Sequence, residues 1–417
     1  VHRDGAFFCE DVPAEAVAIA AGTPTFVYSA AAIRSRYRAL AQALDSCASR
    51  IHYSCKANGN RSILTLLREL GSGVDVVSGG ELARALRAGF RPQDIVCGGV
   101  GKTARELREA IQAGIKLINV ESLDELVLLN EIAGDLGVVA PVGLRVNPEV
   151  RIANAHAYIA TGERGHKFGI PHESALAVAR QALQMQHVQL VGLDMHVGSQ
   201  LATLEPYRAG LERLAGLTAE FRSAGAQIRY IDIGGGLPVA YNTGDPEPDL
   251  VGFGATVAPT VRDLGVELLV EPGRFFVGAS GVLLTRVLYR KESGGKQYVI
   301  VDAGMNDLLR PSHYDAYHRI DAVRPTGKRV TADVVGPVCE TGDFLALDRD
   351  VDEVQAGDLM VVHGAGAYGY VMSSNYNARP RAAEVMVDGH RHAVVTARET
   401  YDDLMRLELE DPNWRDA

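Results

Sequence analysis

Between residues 51 and 270, eight short apolar runs recur, and stretches of helical period separate most of them. The runs are Ile51–Ser54, Gly73–Val77, Ile95–Gly98, Leu117–Val120, Val142–Val146, Leu190–His196, Tyr230–Ile233 and Leu268–Val270. Helical patterns lie at Ala30–Leu44, Ser62–Leu70, Gly80–Ala88, Ala104–Ala113, Leu123–Leu136, Glu173–Gln184, Pro206–Ala224 and Phe253–Leu264. The runs are too apolar to keep a solvated face. Strands buried on both faces belong to a parallel sheet whose crossovers are helices. Eight of them in this order predict an α/β chain with a closed, eight-stranded parallel (β/α)8 barrel over residues 31–275. A doubly wound open sheet is the second choice.

Past Arg274 the helical period fades. Gly281–Arg290, Gln297–Val301, Val330–Val335, Leu359–Val362, Ala382–Asp388 and Arg391–Ala397 read as strands broken by Gly, Pro and Asp, with Asp402–Leu409 as a closing helix. This is a second, mainly β domain. Residues 1–30 do not fit the barrel alternation and are assigned to it, giving 1–30 plus 276–417. A chain of 417 residues has room for two such cores.

Charge and cysteine content narrow the function classes. A net charge of −10 without a long basic run argues against nucleic acid and anionic membrane as partners. No apolar run reaches the length of a membrane span, and Val1 to Asp11 lacks the basic-then-apolar order of a signal peptide. Cys9, Cys47, Cys55, Cys97 and Cys339 are odd in number and form no CxxC pair. That pattern predicts a reducing cytoplasm, and neither a disulfide framework nor a metal site.

Active sites of parallel barrels lie at the C-terminal strand ends. Lys56, in His52-Tyr53-Ser54-Cys55-Lys56-Ala57-Asn58-Gly59-Asn60, closes the first run. An amine held there is expected to be desolvated, with a lowered pKa that suits it to attack a carbonyl. A plain surface lysine is the bland alternative. Gly234-Gly235-Gly236 follows the seventh run and would let backbone N–H groups approach an anion, or simply make a tight turn. His196-Val197-Gly198-Ser199-Gln200 ends the sixth run and Glu271-Pro272-Gly273-Arg274 the eighth. A lysine amine, a phosphate cradle, a flat imidazole and a carboxylate at one opening describe a site for pyridoxal 5'-phosphate. Gly98-Gly99-Val100-Gly101-Lys102-Thr103 imitates the end of a nucleotide-binding loop, but position 96, where its first glycine belongs, is Val96.

YSCKANGN, HVGSQ, GGG, EPGR, GPVCETGD and GAYG, in this order and spacing, resemble the fold-type III (alanine-racemase-like) pyridoxal-phosphate decarboxylases. Thr161-Gly162 with Lys167-Phe168-Gly169, Arg310-Pro311 with Tyr314, and Ser374-Asn375-Tyr376-Asn377 with Arg379-Pro380 narrow the likeness to the branch that acts on meso-2,6-diaminopimelate. Two departures are Cys55, where a small apolar residue is expected, and His363, where an acidic or polar one is. Cys55 is expected to point to the opposite strand face from Lys56 and to serve packing.

The resemblance implies decarboxylation of meso-2,6-diaminopimelate to L-lysine and CO2, the last step of lysine biosynthesis, by a homodimer whose active sites are shared across the interface. It implies that Lys56 holds the cofactor covalently, that His196 lies against its ring and that Glu271 pairs with the ring nitrogen, with Asp75 and Arg145 in support. Ser199, Gly235, Gly236, Gly273 and Arg274 would hold the phosphate, joined by Tyr368. Arg274, Arg310 and Tyr314 would clamp the distal carboxylate, with Tyr368 also at the substrate. Glu340 would accept the distal ammonium, and Cys339, contributed across the dimer interface, would protonate the substrate carbon.

Other readings stay open at this point. A related decarboxylase of arginine, ornithine or carboxynorspermidine is one, although arginine and ornithine carry no distal carboxylate for Arg274 and Arg310. A non-catalytic cofactor-binding regulator and a racemase are others. Retention of both Lys56 and Cys339 counts against the regulator, and the CETGD segment against the racemase.

Overall fold

A computed structural model describes residues 1–150, 165–242, 244–245, 247–412 and 414–415. Eight parallel strands form the barrel: β1 (Ser49–Ser54), β2 (Gly73–Val76), β3 (Ile95–Cys97), β4 (Leu117–Val120), β5 (Ala140–Asn147), β6 (Val188–Asp194), β7 (Tyr230–Asp232) and β8 (Glu267–Val270). Each pairs with its sequence neighbour, and β8 returns to β1 through Val270↔Ile51, so the sheet closes without an edge. Val96, Leu117, Val191 and Leu269 pack together at its core.

The chain leaves β1 to β4 through turns that end in a polar cap. Asn60, Ser78, Thr103 and Ser122 each accept a backbone N–H from the first turn of the helix that follows. Thr103 and Glu106 satisfy each other's backbone as a capping box, and Gly114 closes that helix in the left-handed region at φ 69°. The helix starts read from period alone fall within a residue or two of these caps. The capped helices set the loops at the C-terminal strand ends, where the site residues lie.

Contacts divide the chain into two units, Ala30–Ser280 and Val1–Ser29 with Gly281–Ala417. The second unit is built on the long strand Gly281–Ser293, which pairs with Thr25–Ser29, Leu359–Val362 and Lys296–Val301. Arg329–Val335 and Phe344–Asp352 extend one side, and Ala383–Asp388 with Arg391–Thr396 the other. Phe7, Val12, Val17, Val27, Leu284, Val361 and Val385 form a core cluster of this unit. Among the described residues, no helix is long and apolar enough to cross a membrane.

Lys102, of the false nucleotide loop, has a structural job. Its ammonium donates to the carbonyls of Gly99 and Asn119 and to Glu125, at 2.6–2.7 Å, and only 3% of the side chain is exposed. All three of its protons are committed to tying two loops together.

Candidate active site

Lys56 sits on the single 3-10 turn Cys55–Ala57 that follows β1. Its Nζ donates to Asp75 Oδ2 at 3.0 Å, and the same oxygen accepts from Ser54 Oγ at 2.7 Å. The expectation of a desolvated amine is corrected here. The Lys56 side chain is 42% exposed while that of Asp75 is 1% exposed, and an adjoining carboxylate favours the charged ammonium. The turn also removes the two-residue alternation assumed for Cys55. Its thiol is buried, and burial pushes its pKa up, so it packs as an apolar group for a reason other than strand geometry.

The remaining strand ends bring acids to the same mouth. Asp194 ends β6, Asp232 ends β7, Glu121 follows β4 and Glu271 follows β8. Arg145 of β5 answers two of them, donating to Glu121 Oε1 at 2.7 Å and lying 3.7 Å from Asp194 Oδ2. Desolvation raises the pKa of Glu271 well above the usual carboxylate range, and Asp232, Asp75 and Asp194 raise it further while Lys56 opposes. Asp194 is raised likewise, by burial and then by Asp232, against the pull of Arg145. The mouth thus holds more carboxyl groups than Lys56 and Arg145 can pair with. A cationic ring nitrogen beside Glu271 would relieve that excess, so the donor set fits a protonated pyridine.

His196 follows β6. Its Nδ1 accepts the Gly235 backbone N–H at 3.3 Å, which leaves the proton of the neutral ring on Nε2. Burial, then Arg145 and Lys56, lower its pKa to about 3, so the ring stays uncharged at neutral pH. The three glycines are there for space. A Cβ on Gly234 would lie 2.5 Å from His196 Nδ1, and one on Gly235 would lie 2.6 Å from the Glu271 carbonyl. Gly236 has φ +112°, and its Cβ would meet Tyr207 Oη at 2.6 Å. That oxygen donates to the Gly235 carbonyl at 2.8 Å and pins the loop. Gly273 fits equally tightly against Ser54 and Ala57. Beside this loop, Arg274 donates to Tyr241 Oη at 2.9 Å and to Ser199 Oγ at 3.3 Å. Backbone N–H groups, a hydroxyl and a guanidinium in a side-chain-free concavity suit a phosphate.

The second unit carries the other expected residues. Arg310 and Tyr314 begin and end the helix Arg310–Tyr314, so they share one face. Arg310 is 7% exposed, and its Nη1 meets His318 Nε2 at 3.0 Å. Cys339 is exposed, and its backbone N–H donates to Asn377 Oδ1 at 2.7 Å. Glu340 accepts from Tyr376 Oη at 3.3 Å. Asp343 draws this loop inward through the N–H groups of Val338 and Met305, both at 2.6 Å. Tyr368 holds φ 55°, a conformation rare for an aromatic residue and a mark of imposed backbone geometry. His363 is structural: it bonds Asp321 at 2.9 Å and meets the Phe7 ring edge-on.

The structure therefore gathers Lys56, Asp75, Arg145, His196, Ser199, Gly235, Gly236, Glu271, Gly273 and Arg274 at the barrel mouth. Arg310, Tyr314, Cys339, Glu340 and Tyr368 belong to the β-rich unit. Thr161-Gly162 lies outside the described residues. Glu121, Asp194, Asp232, Tyr241 and His318 were not singled out from sequence. For Asp194 and Asp232 a signal existed, since each is a carboxylate inside an apolar run.

The profile of the family described as pyridoxal-dependent decarboxylase, pyridoxal binding domain, matches residues 30–278. The chain is 47% identical over 405 residues to a diaminopimelate decarboxylase of Pseudomonas aeruginosa, covering 97% of both chains. A crystal structure of diaminopimelate decarboxylase from Helicobacter pylori complexed with L-lysine superposes with a TM-score of 0.91 at 38% identity, covering 95% of this chain and 99% of that one. Its counterpart from M. jannaschii, also in complex with L-lysine, gives a TM-score of 0.93 at 35% identity, with 98% and 97% covered.

Proposed function

Because the chain belongs to the diaminopimelate decarboxylases, within the pyridoxal-dependent decarboxylase family, we propose that its two groups of side chains serve one reaction, meso-2,6-diaminopimelate to L-lysine and CO2. The observation that carries this reading is the barrel mouth itself: a lysine paired to a carboxylate, beside a glycine cradle and an excess of buried acid.

When bound, pyridoxal phosphate supplies an electron sink for the carbon that loses CO2. Lys56 attaches it, and Asp75 orients the amine. Glu271 would pair with the ring nitrogen and keep it protonated, since a cation there would relieve the crowding of buried acid around this carboxyl. His196 would lie against the ring as a neutral imidazole and add no charge that competes with the nitrogen. Ser199, Gly235, Gly236, Gly273 and Arg274 take the phosphate, with Tyr368.

Arg310, with Tyr314 and Arg274, clamps the substrate's distal carboxylate, and Glu340 takes the distal ammonium. Tyr368 adds a hydroxyl at the substrate. Cys339 Sγ delivers a proton to the carbon from which CO2 has left. In this reading Cys339 works on the barrel of the other chain of a homodimer. We also place the enzyme in the cytoplasm, as its scattered, odd-numbered cysteines suggest.

The clamp can be tested separately from the cofactor. Arg310→Ala is expected to lower kcat/KM for meso-diaminopimelate by about 30- to 150-fold, as for a lost charge-assisted bond of about 2–3 kcal/mol, while retaining pyridoxal phosphate. Steady-state kinetics with the cofactor content of the same preparation decide it. An unchanged kcat/KM would remove Arg310 from the substrate.

A further inference from the structure

We infer that His318, a residue with no assigned part in the reaction, is the positioning residue that aims Arg310 at the distal carboxylate and so sets specificity for substrates that carry one. The inference rests on the reading of Arg310 as that clamp.

The hydrogen bonds define the tautomer. His318 is fully buried, with 0% exposure, and its Nδ1 lies 2.8 Å from the backbone carbonyl of His363. A carbonyl oxygen only accepts, so Nδ1 carries the proton. Nε2, 3.0 Å from Arg310 Nη1, lies against a group that only donates. It must therefore present its lone pair. Each ring nitrogen thus has one assignment, and both are met by a neutral imidazole.

The ring is itself held. Arg349 donates to the His318 carbonyl at 2.9 Å, and its guanidinium stacks on Tyr317 at 3.9 Å. Two residues on, Ile320 enters a strand paired with Val362, next to the His363 whose carbonyl receives Nδ1–H. His318 thereby ties the guanidinium to the sheet through a rigid, planar group with two fixed ends.

Why a histidine stands there follows from what a clamp needs. A buried arginine partnered by Asp or Glu would have its charge largely answered before substrate arrives. A neutral nitrogen acceptor fixes the guanidinium plane and adds no negative charge of its own. Bidentate pairing depends on that plane, so small rotations cost affinity. In this reading His318 acts at the distal end of the substrate, away from the reacting carbon. Loss of His318 is therefore expected in KM and not in kcat.

Asparagine and glutamine separate the two ring nitrogens. An Asn amide reaches about as far as Nδ1 and a Gln amide about as far as Nε2. In the holoenzyme, His318→Asn keeps a donor for the His363 carbonyl and loses the acceptor for Arg310. It is expected to raise KM for meso-diaminopimelate about tenfold or more, with kcat changed less than about twofold. His318→Gln restores an acceptor oxygen to Arg310 and is expected to recover most of that loss. Competitive inhibition supplies the control. L-lysine keeps the distal carboxylate, whereas 1,5-diaminopentane has none. His318→Asn should weaken inhibition by L-lysine about tenfold and leave that by 1,5-diaminopentane unchanged.

Equal weakening of both inhibitors would mean a general loss of structure and would overturn the inference. So would an unchanged L-lysine inhibition in His318→Asn when Arg310→Ala weakens it. If Arg310→Ala also leaves L-lysine inhibition unchanged, it is the clamp reading that fails, and the inference falls with it.

Discussion

Lys56→Ala should leave a protein to which borohydride no longer fixes pyridoxal phosphate, and whose kcat on meso-diaminopimelate is lower by about 10^4-fold or more. The size of the effect follows from the part this amine plays. Attachment places the cofactor in one orientation at the barrel mouth, and its loss leaves binding to the phosphate cradle alone. The fold should survive, because Lys56 lies on a turn with 42% of its side chain exposed. Its removal leaves Asp75 bonded to Ser54 but without its ammonium, which adds to the crowding of acid around Glu271. Mass spectrometry after borohydride reads the attachment, and CO2 release reads turnover. A variant that still turns over at the parental rate would show that another amine carries the cofactor.

The second large effect concerns Cys339, and it appears only in a mixture. Cys339→Ala alone should be nearly inactive, as should Lys56→Ala alone. When the two chains are unfolded together, mixed equally and refolded, about half the dimers are mixed, and each mixed dimer has one site with neither lesion. Activity should then return to about a quarter of the parental value, given random pairing. Sites confined to single chains would each keep a lesion, and the mixture would stay as inactive as its parts. Mass analysis of the dimers, confirming that mixed ones formed, makes either result decisive.

Much of this arrangement was legible in the residues, for physical reasons that also explain the gaps. The eight barrel strands were read because burial on both faces makes them continuous apolar runs. Most of their helices were read from their period, and the structure adds the caps, such as Asn60 and Thr103. Phe344–Asp352 was missed because its middle is Asp-Arg-Asp on an exposed stretch, with apolar residues only toward its ends. Thr25–Ser29 lies in the first 30 residues, which were assigned to the β-rich domain without a strand being placed there. Only a partner distant in sequence, Ala383–Asp388, makes it an interior strand.

Within the site, residues that carry a motif were legible and residues that act through charge were not. Lys56, His196, Gly235 and Glu271 announce themselves by neighbours along the chain. Asp194 and Asp232 matter because three-dimensional closure crowds them against Glu271, a pairing that spacing does not reveal. The expected desolvation of Lys56 failed on the same ground, since Asp75 comes from the next strand. His318 was invisible for a further reason. Its meaning lies in two hydrogen bonds to positions 8 and 45 residues away.

The account as a whole is tested most directly by the substrate itself. The purified protein, saturated with pyridoxal phosphate, is given meso-diaminopimelate, L-arginine, L-ornithine or L-lysine, and CO2 and the amine product are measured. Only meso-diaminopimelate should be turned over efficiently, releasing one CO2 for each L-lysine formed, because only it offers a second carboxylate to Arg310. Preference for L-arginine or L-ornithine, or the absence of CO2 release from meso-diaminopimelate, would contradict the account.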